Sequence, residues 1–126
     1  MANEVSIQCS ITASKSGAYV TSQTAGVTFN YSMTGADMIG STQTATSTYT
    51  AIDKGATGTI GWFWIRCLGV AGTDSVAVSI RGDTTADLLI NGGGPPALVP
   101  INGSTAPKIK YLTGSGCDVF YLVVEA

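Results

Sequence analysis

The stretch from Gly61 to Gly69, which reads Gly-Trp-Phe-Trp-Ile-Arg-Cys-Leu-Gly, constrains the fold of this chain more than any other. It is too short for a helix of ordinary length and has glycine at both ends, so we interpret it as a β-strand. A strand with one face in water alternates apolar and polar residues, whereas this stretch is apolar on both faces. We therefore predict a central strand that is covered by the domain core on one face and by a further partner on the other.

Successive side chains of a strand point to opposite faces, which divides this stretch into two sets. The sets are Trp62, Trp64, Arg66 and Leu68 against Phe63, Ile65 and Cys67. We take Trp62, Trp64 and Arg66 as the candidate assembly residues. Because an unpaired buried guanidinium is very costly, Arg66 must either pair with a carboxylate, for which Asp118 is the candidate, or reach water near the strand end.

Other segments alternate apolar and polar residues or are short apolar runs between turn residues. With the central strand they predict about eight or nine short strands, and no helical periodicity is visible. The predicted strands are 4–13, 27–33, 40–50, 61–69, 74–80, 86–90, 97–101, 107–113 and 117–125, with 18–21 as a candidate short continuation after the first. This pattern predicts an all-β fold, an antiparallel β-sandwich of which the jelly roll is one form.

Two of these segments have a predicted place in a sheet. The Thr/Ser-rich segment 40–50 would also suit a flexible linker. Because β-branched threonine favours strands, we predict an edge or solvent-facing strand instead. The segment 117–125 is apolar on both faces, like the central strand, and we expect the two to be neighbours.

The chain length of 126 residues predicts a single domain over 1–126. Its first half, residues 1–57, is rich in Thr and Ser, and its second half, residues 58–126, is more apolar. Charged residues make up only 11% of the chain, against about 25% in a typical soluble domain. We therefore expect a homo-oligomer that hides apolar surface. No apolar run reaches the roughly 18 residues of a membrane span, and no basic segment precedes an apolar one at the N-terminus, so we expect neither a membrane segment nor a signal peptide.

The composition argues against an enzyme, a cofactor site and a metal site. The chain has no histidine, which removes histidine-dependent triads and most zinc sites. Its acidic residues stand mostly at turns and strand ends, the usual structural place for aspartate. Binding to nucleic-acid phosphates needs clustered cations, and among six scattered Lys and Arg residues only Lys108 and Lys110 are close together. We predict no catalytic residue, no cofactor, no metal and no nucleic-acid partner.

Three cysteines, Cys9, Cys67 and Cys117, lie far apart in the sequence, without the Cys-x-x-Cys spacing of a metal or redox site. Each occupies an apolar strand position, where a free cysteine packs as a small hydrophobic residue. We therefore expect reduced thiols that react slowly, in a protein made in a reducing compartment.

The second half of the chain has a distinctive order of segments. After 61–69 come a valine-rich strand, a leucine-rich strand that ends in glycines, a strand with proline and leucine, and an apolar C-terminal strand that ends in glutamate. These four segments are 76–80, 86–94, 97–101 and 117–126, and the segment 107–112 lies between the last two. In this order the chain resembles the small β-sandwich virion structural proteins of tailed bacteriophages. The resemblance covers about residues 58–126, and the loop 69–72 departs from the Asn/Asp-containing turns of that family.

The resemblance implies a non-enzymatic virion protein, made in the host cytoplasm and located in the particle. A capsid decoration (cement) protein, commonly a trimer that contacts the major capsid protein, is preferred over a connector, tail or spike component, because the chain is small and has no fibre shaft. The alternative of a different class is a carbohydrate-binding module or receptor-binding tip. It would use exposed aromatic side chains such as Trp62, Trp64 or Tyr49 to stack on sugars. Coplanar exposed rings would favour sugar binding, and rings buried between subunits would favour assembly.

Overall fold

A computed structural model describes residues 37–112 and 116–126, together with the backbone of four strands near the N-terminus. Within these residues the chain forms twelve strands and no helix, which confirms the predicted all-β fold. The backbone divides into two compact units, Met1–Gly35 and Ala36–Ala126. This division does not coincide with the change of composition at residues 57 and 58, and the single domain over 1–126 stays a prediction.

The first unit consists of two antiparallel strand pairs, one nested inside the other in sequence. Its strands are β1 Glu4–Cys9, β2 Thr12–Lys15, β3 Ala18–Thr21 and β4 Val27–Ser32. β1 pairs with β4, and β2 pairs with β3. The single strand predicted over 4–13 is therefore wrong: its two halves pair with different partners. Met33 and Thr113, which end two other predicted strands, lie outside the described residues.

The second unit contains two four-stranded sheets, in the orders β10-β7-β12-β5 and β6-β11-β8-β9, and all neighbouring strands are antiparallel. The strands are β5 Met38–Ala45, β6 Thr50–Ala51, β7 Ile60–Cys67, β8 Ser75–Ser79, β9 Leu88–Asn91, β10 Ala97–Gly103, β11 Lys108–Tyr111 and β12 Cys117–Glu125. β7 has a neighbour on each side, one of which is β12, and β5 lies at a sheet edge. The predicted central strand and its neighbour are thus confirmed. The edge strand predicted over 40–50 is confirmed only up to Ala45, because Thr50 belongs to β6 in the other sheet.

The hydrophobic core of the second unit lies between its two sheets. Odd-numbered side chains of β7 and β12 meet the apolar side chains of β8, β9 and β11 in one buried cluster, as expected for a β-sandwich. The fully buried members include Phe63, Ile65, Val76, Val78, Ile109, Val119 and Val123. The antiparallel β-sandwich is therefore confirmed, because apolar faces of both sheets are buried against each other.

Polar groups at the rim of this core hold the loops in place. The Tyr121 hydroxyl donates a hydrogen bond of 2.6 Å to the backbone carbonyl of Asp53, which ties the loop before β7 to β12. The Tyr111 hydroxyl donates to the carboxylate of Asp74, which also accepts a hydrogen bond from the Val70 amide. These bonds fix the turn between β7 and β8. An added Cβ at Gly69 would collide with the Asp74 side chain, which explains why glycine ends the central stretch.

Candidate assembly surface

The sheet β10-β7-β12-β5 has a second apolar surface, on the side turned away from the core. We call it the outer face, and define it by the residues Met38, Trp62, Trp64, Leu98, Pro100, Phe120, Leu122 and Val124. Alternation along each strand places them there, because Phe63, Ile65, Val119, Tyr121 and Val123 point into the core. Within this set Met38, Leu98 and Phe120 are 70%, 41% and 38% exposed.

Strand register brings these side chains into two adjacent rows across the sheet. Residues opposite each other on neighbouring strands lie close enough for their side chains to touch. The rows are Leu98–Trp64–Leu122–Gly40 and Pro100–Trp62–Val124–Met38. Phe120 adjoins the first row, and its ring meets that of Trp64 edge to face, with centroids 5.8 Å apart. The outer face is therefore one continuous apolar strip across all four strands, exposed at Met38, Leu98 and Phe120 and buried at Val124.

Arg66 and Asp118 both lie at one end of the outer face, but they have different surroundings. Arg66 stands opposite Phe120 in the register and is exposed, and Asp118 accepts a hydrogen bond of 2.6 Å from the hydroxyl of Thr44. Among the described residues, the ion pairs join Arg81 to Asp83 and to Asp87. Of the two alternatives predicted for Arg66, the pair with Asp118 is thus wrong and the exposed position is confirmed. Arg66 reaches water near the strand end, so its charge is not desolvated and needs no carboxylate.

The aromatic candidates for sugar stacking do not form a flat platform. The planes of Trp64 and Phe120 make an angle of 72°. Tyr49 belongs to the opposite side of the sandwich, because its ring lies 5.6 Å from the ammonium of Lys110, whose neighbours on β11 point into the core. Trp62 and Trp64 are half-buried on the outer face. The structure therefore groups the two tryptophans with Phe120 and separates them from Tyr49.

Two of the three cysteines are brought together by the pairing of β7 with β12. The sulfur atoms of Cys67 and Cys117 are 3.6 Å apart, and both residues are free thiols. Burial, followed by the neighbouring Cys67 thiol, raises the pKa of Cys117 to about 12. Cys9 lies in β1, and its side chain is outside the described residues. The spacing of the cysteines in the sequence does not reveal this proximity, although both residues stand at the ends of strands that are predicted to be neighbours.

The carboxylates with shifted pKa values are engaged in turns. Hydrogen bonds from the Tyr111 hydroxyl and the Val70 amide lower the pKa of Asp74. The Thr85 amide and the Ser79 hydroxyl likewise lower the pKa of Asp83. Over the described residues, no three side chains of Cys, Asp or Glu come together as a metal site would require. These acids stabilise loops, and the outer face is the surface whose chemistry remains to be explained.

No protein-family model matches this chain, and no curated protein and no solved structure matches it either. In the stretches that the structure describes, no helix combines the length and apolar character needed to cross a membrane. A functional assignment therefore depends on the outer face and on the sequence resemblance described above.

Proposed function

We propose that this chain is a non-enzymatic structural protein that assembles through the outer face of its first sheet, as a capsid decoration protein of a tailed bacteriophage. The observation that carries the proposal is the continuous apolar strip across four strands, in which Met38, Leu98 and Phe120 remain 70%, 41% and 38% exposed. Soluble monomers rarely leave an extended apolar patch in water, and such patches commonly mark contact surfaces.

The composition of the outer face suits a protein contact. The cores of protein interfaces are enriched in aromatic residues, methionine and arginine, and depleted in lysine and acidic residues. The outer face contains Trp62, Trp64, Phe120 and Met38, and Arg66 lies at its end. A partner with a flat apolar surface and an acidic group near Arg66 would fit it. In the proposal this partner is another copy of the chain, as in a trimer, or the major capsid protein.

The order of the strands also supports a virion protein. Six of the seven connections between β5 and β12 cross from one sheet to the other, and only β8 and β9 are neighbours in both sequence and sheet. This connectivity supports the jelly-roll form of the sandwich, in which two Greek keys interlock. Jelly rolls occur in viral capsid domains and also in lectins, so the aromatic geometry has to separate the two possibilities. The steep angle between Trp64 and Phe120, and the separate position of Tyr49, favour assembly over sugar stacking.

The copy number of the protein in purified phage particles tests the proposal. Quantitative mass spectrometry should give a number of copies that matches the capsid lattice. A dozen copies or fewer would indicate a connector, tail or spike component, and absence from the particle would refute a virion function.

A pair of leucine variants tests whether the outer face makes the contact. Leu98 on the outer face and Leu89 on β9 of the other sheet are both exposed, at 41% and 62%. Neither change should unfold the chain, since neither side chain is part of the buried core. We expect Leu98→Asp to abolish incorporation into particles and Leu89→Asp to leave it unchanged. Equal incorporation of both variants would show that the outer face is not the contact.

A further inference from the structure

We infer that β5 is a docking edge for β5 of a second copy of this chain. Among the described strands, β5 pairs with β12 alone, so the backbone groups on its other side make no ladder with a described strand. It is eight residues long, Met38–Ala45, and contains neither a charged residue nor a proline. A long uncharged strand with one free edge is a ready template for pairing with another strand.

The other three sheet edges of the second unit carry the features that prevent such pairing. β10 contains Pro100 and has an irregular register between Pro100 and Gly103. β6 is only two residues long. β9 is four residues long and is followed within five residues by Pro95 and Pro96. Prolines, irregular register and short length are the usual protections of a free edge, and β5 has none of them.

The groups on β5 that face the free edge can be identified from its pairing with β12. The amide of Glu125 donates a hydrogen bond of 2.9 Å to the carbonyl of Asp37, just before β5 begins. Because backbone groups alternate between the two sides of an antiparallel strand, odd-numbered residues of β5 face β12. The even-numbered residues then direct their N–H and C=O groups to the free edge: Met38, Gly40, Thr42 and Thr44.

A second β5 fits these groups when it is related to the first by a two-fold axis at Ser41. Antiparallel pairing then places Met38 opposite Thr44 and Gly40 opposite Thr42, and every outward N–H meets an outward C=O. No charge faces a charge, and small residues meet at the centre. Since both chains use the same segment, this contact closes on itself instead of propagating.

This pairing would join the two outer faces into one surface. Residues opposite each other in an antiparallel pair point to the same side of the sheet, so the register about Ser41 places both outer faces on one side. The two four-stranded sheets would become one, and the apolar strip would run across both copies. The inference goes beyond the proposed function, because it concerns a strand edge and holds whether or not the protein is part of a virion.

Thr42→Pro tests whether the protein associates through the free edge of β5. Thr42→Pro removes an N–H at the centre of the predicted pairing, on the side away from β12, where an edge strand tolerates proline. Thr42→Val is the matched control, because it keeps the N–H and the β-branched shape. We expect light scattering to give twice the chain mass of 12.8 kDa, or an even multiple, for the wild type and Thr42→Val. In Thr42→Pro the association through β5 should be lost. A folded Thr42→Pro protein with unchanged mass would overturn the inference, as would a wild type that stays monomeric at every concentration.

Ser41→Cys, at the predicted two-fold axis, tests the register of the β5 pairing independently, even if Thr42→Pro does not fold. Ser41 meets Ser41 of the second copy, so Ser41→Cys should form a disulfide between chains under mild oxidation by a small disulfide such as oxidised glutathione. The two thiols lose two electrons and two protons, and the oxidant is reduced to two thiols. Thr44→Cys is the control, because the predicted register places its two copies about 20 Å apart. Peptide mass mapping should find the 41–41 link and no 44–44 link, and absence of the 41–41 link would contradict the predicted register.

Discussion

The two faces of the sheet that contains β7 have similar apolar character and different surroundings. On the inner face, Phe63 and Ile65 are fully buried against the second sheet. On the outer face, Trp62 and Trp64 are half-buried, and their neighbour Phe120 is 38% exposed. An apolar pattern therefore indicates which surfaces are suited to burial without indicating what buries them. Among the described residues, the inner face is buried against the second sheet, whereas Met38, Leu98 and Phe120 of the outer face stay exposed.

The largest expected effect comes from making the same substitution on both faces. Phe63→Ala should cost about 3–5 kcal/mol in the free energy of unfolding, since it leaves a cavity in the core. Phe120→Ala should cost only about 1–2 kcal/mol, because its ring is partly exposed and mainly loses the contact with Trp64. Chemical denaturation of both variants under conditions where the protein is monomeric measures the difference. Equal costs would mean that the outer face is already covered within the chain.

The inner face could be predicted from the sequence to a large extent, because its signals are local. A short run that is apolar on both faces, with a glycine at each end, located β7, and the same two-sided apolar character of 117–125 placed β12 beside it. The threonine-rich composition predicted the edge position of β5. The pairing of the remaining strands could not be predicted, because most connections cross between sheets and pairing then joins residues far apart in sequence. The 3.6 Å approach of Cys67 to Cys117 follows from such a pairing.

The candidate site was predicted only incompletely. The tryptophans of β7 could be assigned to the face opposite Phe63, because side-chain alternation is independent of the partner strand. The contribution of Leu98 and Met38 could not be foreseen, since it depends on which strands flank β7 and β12 and in which register. The sequence does not decide between the two alternatives for Arg66, because it does not reveal that Thr44 lies opposite Asp118.

Loss of the Tyr121 hydroxyl, on the inner face, should lower the free energy of unfolding by less than Phe63→Ala does. Tyr121→Phe removes the hydroxyl that donates to the Asp53 carbonyl at 2.6 Å and leaves the ring in the core. Loss of one such hydrogen bond should cost about 1–2 kcal/mol. Denaturant unfolding should show this loss with an unchanged slope. A cost near that of Phe63→Ala would mean that the hydroxyl stabilises the core in addition to the loop before β7.

Loss of the Arg66 side chain, at the border of the outer face, should lower the free energy of unfolding by a smaller amount again. Arg66→Ala should change the free energy of unfolding by less than about 1 kcal/mol, because an exposed charge contributes little to stability. Asp118→Ala is the comparison, since it removes the acceptor of the Thr44 hydroxyl. If Arg66→Ala instead cost about 3–5 kcal/mol, as the loss of one partner of a buried ion pair does, the exposed position of Arg66 would be refuted.

The thiols of Cys67 and Cys117 should react more slowly in the native protein than in the unfolded protein. The raised pKa of Cys117, about 12, keeps it as a neutral thiol at neutral pH, and thiolates are the reactive form. Titration with a thiol reagent should therefore label both residues slowly in the native protein and fully after unfolding. Peptide mass mapping distinguishes them from Cys9. Rapid native labelling of Cys67 and Cys117 would show that this end of the inner face opens to solvent.

Tryptophan fluorescence tests directly whether the protein assembles through the outer face, because Trp62 and Trp64 are the only tryptophans in the chain and both lie on that face. Emission and acrylamide quenching are recorded over a range of protein concentrations, with the mass measured by light scattering on the same samples. Pairing through β5 would raise the mass without covering the outer face, so the samples are of Thr42→Pro, in which that pairing should be lost. If the outer face is the assembly surface, emission shifts to shorter wavelength and quenching falls as the mass rises above 12.8 kDa. If the mass of Thr42→Pro rises while emission and quenching stay constant, the protein assembles through another surface and the outer face is not the contact.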